Sequence, residues 1–595
     1  WGFRLRWWSV LLLVGLAGQS ARIWAAEPSQ PEVGLSFEVR AVWGGGPVRS
    51  FAGTISLSGG SIEVVRNLSV QDDSVGRVRK RSNSEITIQP HSPSSFGGVD
   101  LLLKGPAQAE LEFQWEDPNG VSKPEPIRVT LAELLHERVL QPIDTRGTRL
   151  AVERQVHDRI RASVNHGQTI MSPGERCTLA VEGYCNDITA GEYRVNVRLV
   201  DVAASRVVAH YQRDVDVSAE GSFAAQTFNE IELPPRPGVY CFEIGVQRRR
   251  LINSFINAIA VADRKVEIVV ADNKPPTSAP TKWRELGQVY PAGTSWWDGL
   301  GRFRVPSVKT LTPLVAHATK SIGSADHARR LVGGTECMVL GGGAWQAFPL
   351  SVEDTGVPHR LRITLPNDRP QKLAFSIQES GSPGDASGLK LDSGVVIEPH
   401  SAGQSDVALH ELVFWPKTNL PYLLVLNTDA TRDASIAEIA LEVAEAGLTT
   451  QRDAQQSPSP SRLAALYFDK PLLAENFGAA RRVDNKGHRE LDTWQTAYEA
   501  SARLADYTEW SGHNAVVLTV ATQGGACYPS QLLMPSPKFD SGTFLSDGSN
   551  PAIKDLTELV CREFDRRGLK LILAIELEGA LPELARYEQS EEING

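Results

Sequence analysis

Three carboxylates in the last quarter of the chain stand where acid–base chemistry could be done. Asp469 directly follows the apolar run 463–468, and Glu576 and Glu578 close the run that begins at Leu569. Two carboxylates flanking a glycosidic bond, one as acid and one as base or nucleophile, are the equipment its hydrolysis requires. Acids after strands are also common on protein surfaces, so position alone makes these residues candidates. Glu576 is the first choice for a substrate-site role and Asp469 the second. No CxxC or HExxH pattern occurs, so no structural metal is expected. No cofactor is expected either.

The elements that must position these acids are legible around them. The run 463–468 reads as a buried strand, 492–510 has helical character, and 513–520 is a second apolar run of strand length. Pro551 follows a capping residue, Asn550. Ile553, Leu556, Val560 and Phe564 then recur at helical spacing, and Gly568 ends the helix. Residues 569–577 form the third strand. Near-continuously apolar strands alternating with helices predict a parallel sheet covered on both faces. In an α/β barrel, catalytic groups sit at the C-terminal ends of such strands.

The turn after the second strand narrows the class. The stretch Asn514-Ala-Val-Val-Leu-Thr-Val-Ala-Thr-Gln-Gly-Gly-Ala-Cys-Tyr-Pro-Ser530, with Arg566-Arg567-Gly568-Leu569-Lys570 before the next strand, resembles the bacterial glycoside-hydrolase-like family related to family 10. The resemblance covers residues 462–595, and Tyr528-Pro529-Ser530 is its sharpest element. It implies a (β/α)8 barrel acting on glycans, with peptidoglycan among the substrates, and makes Tyr528 and Gln523 candidate substrate contacts. The family usually carries Arg at the strand end and Asp in the turn. This chain has Ala521 and Gly525, so the expected substrate-orienting pair is missing. The family's catalytic acids often come from later strands, so the true pair is expected beyond Gly595.

Composition agrees with a multidomain globular chain. At 595 residues it is too long for one core, and roughly three to five units are expected. The net charge of −10, with both signs interspersed, argues against nucleic acid as the main partner.

The N-terminus reads as an export signal over residues 1–26. Arg4 and Arg6 precede an apolar core at 10–17, and Ala25 and Ala26 suit cleavage. The run is too short for a membrane span of about 20 residues. No integral membrane span is therefore expected after cleavage. An exported chain would be periplasmic, cell-surface or extracellular, and its six cysteines could oxidise. Cys177, Cys185 and Cys241 fall in one β-rich stretch. A bridge between Cys177 or Cys185 and Cys241 is expected, Cys185–Cys241 first, with buried free thiols as the alternative.

Between signal and barrel, period-two patterning and Gly-, Ser- and Pro-rich turns predict antiparallel sandwiches. The expected units are a β-sandwich at 30–135 and an immunoglobulin-like sandwich at 136–272. After a linker at 273–282 comes a jelly-roll unit at 283–447 that looks like galactose-binding-like domains. A second linker, 448–462, leads to the truncated barrel at 463–595. Each sandwich is expected to have its own core. In the third unit Trp345 and Trp415, with the pair Trp296-Trp297, are candidate sugar platforms; a tryptophan in a β domain is more often core.

The expected fold is therefore tandem β-sandwich and jelly-roll domains followed by an incomplete (β/α)8 barrel. The expected function is an exported glycoside hydrolase-like protein acting on a polysaccharide or peptidoglycan, its β domains serving for glycan binding or spacing. The other reading is a non-catalytic cell-surface protein with a degenerate barrel. The sequence leaves the oligomeric state open.

Overall fold

The computed structural model describes residues 35–69, 77–89, 94–116, 125–185, 188–219, 221–249, 262–276, 281–293, 322–324, 328–379, 393–397, 406–445, 447–448, 462–468, 473–483, 490–522, 525–530 and 555–576. The expected signal segment, Trp296, Trp297, Asp469, Gln523, Asn550 and Glu578 lie outside them.

The first β unit pairs two five-stranded sheets. Strand Leu35–Arg49 runs antiparallel between Ser94–Gly105 and Arg149–Arg154. Opposite it, Gly53–Leu57 lies between Glu85–Gln89 and Glu110–Trp115. Alternation drives the packing, because successive side chains leave a strand on opposite faces. Phe37, Val39, Ala41 and Trp43 thus meet Ile55, Leu111 and Phe113 in one core. The boundary expected at residue 135 falls inside this sandwich, since Arg149–Arg154 and Val139–Pro142 complete its first sheet. The chain crosses between sheets through the short helix Leu131–His136, capped reciprocally by Thr130 and Glu133.

In the second unit, Arg176–Tyr184 is flanked by Ile160–Val164 and Ser222–Glu232. That sheet faces a five-stranded one containing Gly191–Asp201, Gly238–Arg248 and Ala262–Val270. The expected Cys185–Cys241 bridge is absent, and all six cysteines are free thiols. Register explains this. Cys177 and Cys185 belong to the inner core with Tyr240 and Phe242, whereas Cys241 lies between those two residues in sequence and leaves its strand on the other face.

The third unit brings His359–Pro366 between Glu438–Ala444 and Val407–Phe414. A second sheet places Tyr422–Asn427 between Trp345–Pro349 and Gln371–Gln378. Asn427 is fully buried and ties two end loops together. Its Nδ2 donates to the carbonyls of Leu340, Gly341 and Arg432 at 3.1, 2.9 and 2.7 Å.

The last unit is built differently. Ala515–Thr522 is the centre of a parallel sheet, with Ala465–Phe468 on one side and Lys570–Ile575 on the other. Helices Trp494–Trp510 and Leu556–Asp565 make the two crossovers. The spatial order of the three strands follows their order in sequence. The helix after the turn is capped by Asp555, whose side chain accepts from the Glu558 N–H, so Asn550 is not its cap.

The expectation of a sheet covered on both faces fails, because the helices cover one face and on the other Val517 of the central strand is only half-buried. Val516, Leu518 and Val520 pack under the helices with Leu466, Phe468 and Leu571. The other face carries the register row Tyr467–Val517–Ile572, where Tyr467 is 66% exposed and Ile572 39%. The run 463–468 is thus an open edge strand and not a buried one. Among the described residues, no helix is long and apolar enough to cross a membrane.

Candidate functional site

The C-terminal edge of this parallel sheet gathers the residues that sequence singled out. Asn514 sets the strands in place from the opposite end. Its Oδ1 accepts the Ala464 N–H at 2.9 Å, and its Nδ2 donates to the Arg462 carbonyl at 3.0 Å. From there the apolar, β-branched run of Ala515–Thr522 carries the chain through the core to the edge.

At the edge the chain doubles back. Ala521 and Thr522 pair antiparallel with Gly525 and Ala526. The Cys527 N–H then bonds the Val520 carbonyl at 2.8 Å. Thr557, in the first turn of the following helix, grips the Cys527 carbonyl through its backbone N–H and its Oγ1 at 3.3 and 3.2 Å. Tyr528 is therefore held between a strand end and a helix start. Its ring is half-buried against the apolar core. On the other side of the central strand, the Glu576 N–H bonds the Ala521 carbonyl at 2.9 Å, and the Glu576 side chain is exposed. The structure brings Tyr528 and Glu576 to one edge.

A third polar group there was missed in the sequence. Asp555 caps the helix Leu556–Asp565, and a helix that follows a parallel strand starts at that strand's C-terminal edge. Burial pushes the Asp555 carboxyl above its ordinary range, against the Glu558 backbone hydrogen bond that pulls it down; the charge of Glu558 adds to the rise. The spacing Asp555–Glu558 was the available signal.

The two family positions that depart from the pattern contribute no charge. Ala521 is fully buried, and Gly525 sits in the hairpin. The helical side, away from this edge, holds most of the nearby charge. Arg567 donates to Asp506 at 2.7 Å and lies 3.3 Å from Glu509 and 3.8 Å from Glu563. Burial, opposed by Arg567, pushes the Asp506 carboxyl up to about 6. This network joins the two helices and is remote from the strand ends in sequence and layer.

The tryptophans divide. Trp345 is half-buried at the start of its strand, where its backbone N–H bonds Ser324 Oγ at 3.0 Å. Trp415 is 4% exposed. It meets Phe477 edge-on at 5.7 Å between ring centroids and lies 6.0 Å under the Arg503 guanidinium. Its indole is spent on packing between the third unit and the parallel-sheet unit, so it offers no open face to a sugar.

Among the described residues, no group of three His, Cys, Asp or Glu side chains could hold a metal ion. No protein-family model matches this chain, and no curated protein matches it. Solved structures match at low similarity. One is a family GH115 4-O-methyl-α-glucuronidase with specificity for decorated arabinogalactans, at 12% identity over 20% of this chain and 16% of that one, TM-score 0.15. Another is the C-terminal CBM6 of a marine laminarinase from Zobellia galactanivorans, at 10% identity over 20% of this chain and 90% of that one, TM-score 0.16. A family GH2 member from Bacteroides cellulosilyticus matches at 8% identity over 42% of this chain and 29% of its own, TM-score 0.18. The chain thus spans 16% of the first enzyme and 29% of the last, and likenesses at these TM-scores assign neither family nor activity.

Proposed function

We propose that this chain is part of an exported, multidomain glycoside hydrolase-like protein acting on a polysaccharide or peptidoglycan, and that its parallel sheet is the start of a (β/α)8 barrel. The observation that carries the reading is the sheet itself. Three parallel strands lie side by side in sequence order, with a helix on each crossover, which is how a barrel of this kind begins. The face away from the helices is apolar and open along Tyr467, Val517 and Ile572. On the helix side Leu573, in register with the buried Leu518, is 48% exposed. Further strands would cover the first face, and a third helix would cover Leu573.

In this reading the C-terminal edge is the substrate face. Tyr528 supplies a ring for a sugar, and Glu576 and Asp555 supply carboxylates with unlike surroundings.

A second reading has one observation in its favour. Ala521 and Gly525 remove the charged pair that the family pattern places at this edge, which suits a barrel that binds glycan without cleaving it. Pull-down of purified residues 27–595 by insoluble polysaccharides and by peptidoglycan tests the shared claim of glycan recognition. Retention on at least one, weakened by Trp345→Ala or Tyr528→Ala, is expected. No retention on any of them would count against both readings.

A further inference from the structure

We propose that the outer face of the second sandwich is an obligatory docking surface for the helical layer of the parallel sheet, so that this layer depends on the sandwich for its own stability. This goes beyond the glycan reading and does not depend on it.

The strand Gly238–Arg248 shows the arrangement. Tyr240, Phe242, Ile244 and Val246 enter the sandwich's own core. Val239, on the opposite face, is buried as well, and so are Val269, Ala271 and Ile170. The outer face of an antiparallel sandwich normally meets water and is polar. Here these four residues belong to the same apolar cluster as Trp494, Ala497, Ala500 and Leu504 of the long helix. Exposed together, they would form an apolar patch of the kind that marks an interface.

The helix buries one continuous face of mostly small residues. Ala497, Ala500, Ser501, Leu504, Ala505 and Thr508 are all buried, recurring at the spacing of one apolar stripe. Four of these six are Ala or Ser, which let backbones approach closely.

A polar contact fixes the register of docking. The first N–H groups of a helix have no partner within it. The N–H of Trp494 finds one across the interface, at Glu267 Oε2 of the sandwich, 3.1 Å away. A carboxylate at a helix N-terminus also meets the favourable end of its dipole. The third unit closes on the other side, where Arg503 Nη2 donates to the Gly356 carbonyl at 3.1 Å. Gly478 there has φ +58°, and a Cβ on it would lie 2.0 Å from the Trp415 carbonyl oxygen.

Hydrogen exchange read by mass spectrometry on the full chain tests this. Glu267→Ala removes the cross-interface cap and Val269→Asp places a charge on the docking face. With Val269→Asp, exchange in Trp494–Trp510 and Ala515–Thr522 is expected to rise together by about tenfold or more. With Glu267→Ala, a smaller rise should centre on the first helical turn, while Gly191–Asp201 in the sandwich core stays protected. Glu267→Gln, which keeps an acceptor oxygen, should restore most of that protection. Unchanged exchange of the helix in both Glu267→Ala and Val269→Asp would overturn the proposal. Should Val269→Asp unfold the sandwich itself, Glu267→Ala decides: a rise in the helix with a protected sandwich core upholds it, and no rise refutes it.

Discussion

Glu576 donates its backbone N–H to the carbonyl of Ala521 at 2.9 Å, so the third strand of the parallel sheet leaves the core beside the end of the second. That bond sets Glu576 at the same edge as Tyr528, which follows the Cys527-to-Val520 bond on the returning arm of the hairpin. Strand polarity alone predicts this meeting, and the hairpin refines it by folding Tyr528 back against the core.

The cysteines give the first prediction. With six free thiols, denatured protein prepared without reductant should react with six equivalents of an alkylating agent. Burial pushes the Cys527 thiol up to about 12 and, with Glu175 adding to it, the Cys177 thiol up to about 11. In the native protein these two should label slowly, because the thiolate is the reactive form. A count of four under denaturing conditions would instead reveal a bridge.

Asn427 gives the second. Removing its amide takes the donor from three carbonyls, that of buried Leu340 among them. Asn427→Ala should therefore destabilise the third unit by about 2–4 kcal/mol, read by denaturant unfolding. Loss of less than half a kcal/mol would mean that the loops re-pair without it.

The third concerns Arg264, 2% exposed, whose Nε and Nη1 meet no hydrogen-bond partner among the described residues. Burial, only partly offset by Cys241, lowers its pKa to about 9. A buried cation that meets no carboxylate among the described residues costs stability, so Arg264→Met, of similar length, should stabilise the second unit by about 1–4 kcal/mol. A thermal melt showing destabilisation would contradict this.

Asp506 gives a pH dependence. Its folded pKa, about 6, lies above its ordinary value of 3.8, so between these values the folded state holds the proton more tightly than the unfolded chain. Stability from this group falls as pH rises through that window. Asp506→Asn should shrink the stability difference between pH 5 and pH 7. An unchanged or larger difference would show that the carboxylate is paired well enough by Arg567 to titrate normally.

The reach of the sequence can be judged residue by residue. The strand Ala515–Thr522 was legible because it is almost wholly apolar and most of its residues are buried, so its pattern needs little knowledge of neighbours. Tyr467 and Leu573 were not, since exposure on an edge strand depends on what lies beside it. Trp415 shows the same limit: an indole in a β domain reads alike whether it faces a sugar or another unit, and only the approach of Phe477 decides. Cys241 missed its expected partner by strand phase, a one-residue matter that sequence spacing does not resolve. Asp555 was overlooked because Asn550-Pro551 offered a stronger cap signal five residues earlier. The shared core between the second sandwich and the long helix was beyond reach, since the four sandwich residues in it read as ordinary strand positions.

The central claim is that the parallel sheet is the opening part of a glycan-active barrel whose catalytic pair needs the opposing strands. The direct measurement is turnover of polysaccharides and peptidoglycan by purified residues 27–595. A catalytic pair must be held about 5–10 Å apart across the scissile bond, and the three parallel strands among the described residues provide one wall only. Binding of a glycan without any release of product is the predicted result. Hydrolysis by these residues alone would contradict it.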